Sequence, residues 1–88
     1  MNMNAVGIDV SKGKSMVAIL RPYGEIVSSP FEIKHTSSNI QSLIAQIRSI
    51  EGESRIVIEH TGRYYEPLAR ELSLAGLFVT AVNPKLIK

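Results

Sequence analysis

From Asn4 to Val10 apolar and small or polar residues alternate with a period of two, so that Val6, Ile8 and Val10 fall on one side and Ala5, Gly7 and Asp9 on the other. That period belongs to a strand covered on one face. The pattern continues over Ser15–Arg21 and Glu25–Lys34, with Ser11-Lys12-Gly13-Lys14 and Arg21-Pro22-Tyr23-Gly24 as turns between, which predicts two successive hairpins. The period then changes to that of a helix at Ile40, Leu43, Ile44 and Ile47, and the helix should run to about Ile50. Thr36-Ser37-Ser38-Asn39 offers residues able to cap its start, and Ser38 with Gln41 has the spacing of a capping box. Glu51-Gly52-Glu53-Ser54 ends this helix. Arg55-Ile56-Val57-Ile58-Glu59 follows as a short, nearly continuous apolar run, the pattern of a strand buried on both faces. Thr61-Gly62 makes a turn, Pro67 suits the first turn of a second helix, Leu68, Leu72 and Ala75 form its inner stripe, and Gly76 stops it. Leu77–Val82 closes the series as another buried strand.

Three strands in meander, a helix, a strand, a helix and a strand predict an α/β domain with a mixed five-stranded sheet. Right-handed crossovers after a meander set the fourth strand beside the first and the fifth beyond it, the ribonuclease-H-like arrangement. Asp9 and Glu59 then end neighbouring parallel strands about 5 Å apart. The 88 residues suit one small domain that buries roughly 60–65% of its unfolded surface. No cysteine is present, so disulfides, thiol nucleophiles and Cys-zinc sites are excluded and any metal site must use carboxylates. No apolar run reaches the ~20 residues of a membrane span and Met1-Asn2-Met3-Asn4 lacks the order of a signal peptide, which leads us to expect a soluble intracellular protein. The net charge of +2 permits nucleic-acid binding without requiring it.

Asp9 is the sole aspartate, and an ionised carboxylate beside Val6, Ile8 and Val10 calls for a cation or hydrogen-bond donors. Two roles are open to it: metal ligand, or a side chain that caps the Ser11–Lys14 turn. Glu59 is open to the ligand role and to a helix-start role favoured by the dipole of the second helix. Lys12 and Lys14 fit either contact with DNA phosphates or a solvated hairpin tip. His60 and Arg63 flank the candidate site and fit either a phosphate contact or an ordinary loop. Tyr64 and Tyr65 fit base stacking or packing at a helix start. Lys85 follows Asn83-Pro84, near the carboxyl end of the last strand, and would add positive charge.

Gly7-Ile8-Asp9-Val10-Ser11-Lys12, Glu59-His60-Thr61-Gly62-Arg63-Tyr64 with Pro67-Leu68-Ala69 and Leu72, then Gly76 and Val82-Asn83-Pro84, taken together and in order, resemble the amino-terminal domain of the RuvC-like DEDD insertion-sequence transposases, relatives of the Piv-type DNA invertases. The resemblance implies an Asp-Glu-Asp-Asp metal site holding two Mg²⁺ or Mn²⁺ ions, with Asp9 and Glu59 matching the first two acids. It implies a separate carboxy-terminal domain with a nucleophilic serine, a role Ser11 does not inherit. It implies DNA as partner, in some members a guide-type noncoding RNA, and a cytoplasmic, nucleoid-associated location in a prokaryote. The sheet's outer edge and the face meant for the missing helices would be exposed, which leads us to expect homo-oligomers. In that family the last two acids lie beyond the Asn-Pro segment, and this chain has no other aspartate. The expectation is therefore a partial catalytic domain, 1–88, of a larger transposase, inactive by itself. Two other classes remain open: an actin-like or sugar-kinase-like ATPase, which also begins with a Gly-Ile-Asp strand and a hairpin, and a noncatalytic interaction module of the same fold.

Overall fold

The structure is a computed structural model and describes residues 3–60 and 62–83, the side chains of Tyr23 and Ser28 excepted. Five strands, β1 (Met3–Ser11), β2 (Lys14–Leu20), β3 (Ile26–Lys34), β4 (Glu53–Glu59) and β5 (Phe78–Val82), form one sheet in the order β3-β2-β1-β4-β5. Helix α1 (Ser37–Arg48) lies between β3 and β4 in sequence, and α2 (Glu66–Leu74) between β4 and β5. The strands β1, β2 and β3 pair antiparallel, while β4 runs parallel to β1 and β5 parallel to β4. This is the mixed ribonuclease-H-like sheet that the order of elements predicts.

One layer of side chains makes the core. Val6, Ile8 and Val10 of β1, Val17 and Ile19 of β2, and Ile56 and Ile58 of β4 meet Ile40, Leu43, Ile44 and Ile47 of α1 and Leu68 and Leu72 of α2. Each of these positions follows from the period of its element: alternate residues of a strand share a face, and residues three and four apart share a helix stripe. The opposite face of the sheet has no helix among the described residues, and Met16, Leu20, Val57 and Phe78 are exposed there.

That bare face corrects two expectations. β4 is buried on one face only, because Val57 stands 36% exposed between the fully buried Ile56 and Ile58. β5 is an edge strand, with Phe78, Thr80 and Ala81 exposed. An apolar run has no alternation to reveal that one of its faces lacks a covering layer. The start of α1 is a third correction: Thr36, in extended conformation, accepts the N–H of Asn39 at 3.3 Å and is the cap, whereas Ser38 lies inside the helix. The helix also stops at Arg48, ahead of Ile50, and the Arg48 guanidinium donates to the Ala75 carbonyl at the end of α2. Gly13 and Gly76 both adopt positive φ, +77° and +85°, at the β1–β2 turn and just past α2, as their predicted roles require.

Two buried polar groups tie the layers. Asn4, almost fully buried, donates through Nδ2 to the Glu51 carbonyl at 3.0 Å and so fastens the start of β1 to the α1–β4 connection. Ser15, equally buried, is 2.7 Å from His35 Nε2, and the His35 N–H donates to the Gly13 carbonyl, which holds the end of β3 against the hairpin tip. Burial lowers the His35 pKa below the ordinary histidine range.

Asn4→Ala should destabilise the fold by about 1–2 kcal/mol, since it removes a buried side chain together with its hydrogen bond to the Glu51 carbonyl, and the melting temperature should fall by roughly 4–8 °C per kcal/mol. An unchanged melting temperature would mean that water serves the carbonyl equally well. The His35 shift gives a pH dependence of definite sign. The unfolded chain takes up this proton before the folded one does, so the contribution is full above about pH 6.5 and is lost as pH falls below it. Thermal melts at pH 7.5 and pH 5 should show a smaller difference for His35→Gln than for the wild type.

Candidate metal centre

The register of the two central parallel strands sets Ala5 beside Arg55, Gly7 beside Val57 and Asp9 beside Glu59. Neighbouring strands lie about 4.8 Å apart, so the two carboxylates leave the sheet side by side on its bare face. Both are exposed, and both line a hollow of about 230 Å³ with Gly7, Met16, Ala18 and Pro30. The floor is built from small residues: at Gly7 a Cβ would meet nothing within 4 Å. No cation among the described residues lies within ion-pair distance of either acid, the two salt bridges being Lys14–Glu32 and Arg21–Glu25. Two unneutralised, like-charged carboxylates in register are unfavourable by themselves. As hard oxygen donors without a protein cation they fit Mg²⁺ or Mn²⁺. Among the described residues no group of three or more His, Cys, Asp or Glu side chains is placed to hold a metal ion.

A further acid shares this face. Met16 is paired with both Asp9 and Glu32, which puts Glu32 in the same row across the sheet, two strands from Asp9. Its Oε1 is 3.7 Å from Lys14 Nζ. Hairpin register is what reveals Glu32, and the register shifts between Val17 and Leu20 make it hard to count from the turn alone.

The basic candidates separate. Lys14 lies beside Glu32, in an exposed ion pair. Lys12 lines a second hollow of about 290 Å³ at the carboxyl ends of β1 and β4, with Ser11, His60, Gly62 and Tyr64. His60 is fixed there: its ring stacks on Tyr65 at 3.7 Å and 18°, its Nδ1 donates to the Gly62 carbonyl at 3.0 Å, and its backbone N–H donates to the Val82 carbonyl at 3.0 Å. Tyr65 packs against the core, whereas Tyr64 is half exposed. Arg63 is exposed in the turn before α2 and lines neither hollow. Lys85 lies outside the described residues.

A five-stranded mixed sheet in this order with helices on one face defines a ribonuclease-H-like domain, and comparison with solved structures agrees. Thermus thermophilus RuvC superposes with a TM-score of 0.56 at 14% identity, over 93% of this chain and 64% of that one. The same protein in complex with a Holliday junction substrate gives 0.53 at 12%, over 94% and 66%. Archaeoglobus fulgidus Pelota gives 0.54 at 16%, over 90% of this chain and 26% of that one. The chain thus spans about two thirds or less of the length of these structures, and at such identities they show the fold alone. No curated protein matches the sequence. The family is given by its own model: the transposase model DEDD_Tnp_IS110 matches residues 6–88, and the chain belongs to that family. No described helix is long and apolar enough to cross a membrane.

If the two acids serve a ligand and not the fold, Asp9→Asn and Glu59→Gln should each leave the melting temperature unchanged or slightly raised, because each relieves a like-charge contact. A large drop for both variants would make the pair structural.

Proposed function

We propose that this chain is the amino-terminal part of a DNA transposase whose RuvC-like domain cleaves and transfers DNA strands with the help of divalent metal, and that Asp9 and Glu59 are two of its metal ligands. The observation that carries this reading is the register of β1 and β4, which aligns the sole aspartate with Glu59 on an open sheet face. Membership of the transposase family supports it. Divalent ions bound at such a pair supply charge stabilisation to the attacking and leaving oxygens of a phosphodiester. Asp9, flanked by Gly7 and Ala18, leaves room for a close approach to that position, and Glu59 fixes the second point of attachment one strand away. Lys12 and His60 share the neighbouring hollow at the same end of the sheet. On this reading they meet the sugar-phosphate backbone of a strand entering there, with Arg63 and Lys14 as further contributors of positive charge, and Lys85, which lies outside the described residues, as another.

Two carboxylates leave most of a six-oxygen shell to water or to other ligands, so the chain alone should bind Mg²⁺ weakly and cleave neither duplexes nor four-way junctions. The remaining acids and the serine-bearing domain belong, on this reading, to the rest of the transposase. In the full-length protein, Asp9→Asn should reduce recombination in Mg²⁺ to background at matched protein levels, because the amide keeps the shape and loses the charge. Wild-type recombination by that variant would rule out the ligand role.

A further inference from the structure

The two edges of the sheet are unlike. β3 carries Pro30, Glu32 and Lys34 and departs from regular register against β2, all devices that block the addition of another strand. β5, Phe78-Val79-Thr80-Ala81-Val82, has no charge, proline or glycine, and among the described residues no strand pairs with its outer side. The Val82 carbonyl accepts from His60 and therefore faces inward. Backbone groups of a strand alternate in direction, so those of Thr80 and Phe78 also face β4 while those of Val79 and Ala81 face solvent.

We propose that β5 is the site at which two copies of this chain associate, pairing antiparallel across a two-fold axis at Thr80. The sequence of the strand is self-complementary in this register. Val79 of one copy stands opposite Ala81 of the other, and these are the residues with outward N–H and C=O groups, so both pairs close their hydrogen bonds without disturbing the β4–β5 ladder. Thr80 meets the second Thr80 as a non-hydrogen-bonded pair, and Phe78 meets Val82; Thr–Thr and aromatic–β-branched pairs are favourable across strands. Centring the axis between two residues would bring inward-facing groups opposite outward-facing ones, and centring it on Val79 or Ala81 would carry the pairing past one end of the strand, so only Thr80 lets all five residues pair. The two-fold runs perpendicular to the sheet, so the dimer is one ten-stranded sheet with both bare faces on the same side. The two Glu59 residues are then three strand spacings and four residues along the strands apart, roughly 20 Å, with each Asp9 one strand further out.

The chain has no cysteine, so one introduced thiol can cross-link only to its own copy. Thr80→Cys places two sulfurs on Cα atoms about 4.5 Å apart, within disulfide range, and mild oxidation should convert it to a covalent dimer. Ser73→Cys, on the exposed side of α2, should stay monomeric under the same treatment. By analytical ultracentrifugation the wild type should dimerise, and Ala81→Pro, which removes an outward N–H from each copy, should weaken the dimer at least ~10-fold while its far-ultraviolet spectrum stays unchanged. A monomeric wild type with no cross-linking of Thr80→Cys would overturn the proposal. So would a dimer that survives Ala81→Pro and is lost in Met16→Lys, since association would then run through the bare face.

Discussion

The pairing of β1 with β4 is the constraint on which the rest depends. β1 is the central strand, bonded antiparallel to β2 and parallel to β4, and its even positions from Val6 to Val10 are buried while its odd positions from Ala5 to Asp9 are exposed. A slip of one residue against β4 would turn Ile56 and Ile58 away from the helices and present Val57 and Glu59 to Leu68 and Leu72. Burying even one such charged side chain without a partner costs several kcal/mol, so the register is held by hydrophobic burial on one face. The carboxylate pair on the other face is aligned as a result.

The site lies where the chain changes direction. After β1 the backbone turns back through the Lys12–Gly13 hairpin to β2, and after β4 it leaves in the other sense towards α2. Strands that diverge in this way leave a crevice beyond their carboxyl ends, the usual place for ligands in open α/β sheets. The hollow of Asp9 and Glu59 opens on the bare face, and the hollow of Lys12 and His60 lies at the carboxyl ends of the same two strands. The two carboxylates and Lys12 thus gather at one end of the sheet without forming an ion pair.

Much of this was legible in the sequence, because alternation and helical spacing are direct imprints of burial. Val6, Ile8 and Val10 marked the covered face of β1, Ile40, Leu43, Ile44 and Ile47 marked α1, and the order of elements sufficed to bring Glu59 next to Asp9. What stayed hidden depends on neighbours distant in sequence. The exposure of Val57 and Phe78 records a missing layer, which an apolar run does not announce. The ion pair of Lys14 with Glu32 follows from hairpin register, which the irregular pairing of β2 with β3 obscures. The choice of Thr36 over Ser38 as cap was a competition between residues of similar capping strength, which their order in the sequence does not resolve. The stack of His60 on Tyr65 joins the end of β4 to the start of α2 and has no periodic trace at all.

The one-residue alternation along β1 and β4 also separates two kinds of inheritance. Even-numbered positions answer to packing against α1 and α2, where the loss of a few methylene groups is felt at once. Odd-numbered positions of β1 and β4, from Ala5 to Asp9 and from Arg55 to Glu59, face away from that core and carry little of its energy. Descendants of this chain can therefore revise their chemistry at every second residue while the fold drifts little, and changes on one side of the sheet need not wait for compensating changes on the other.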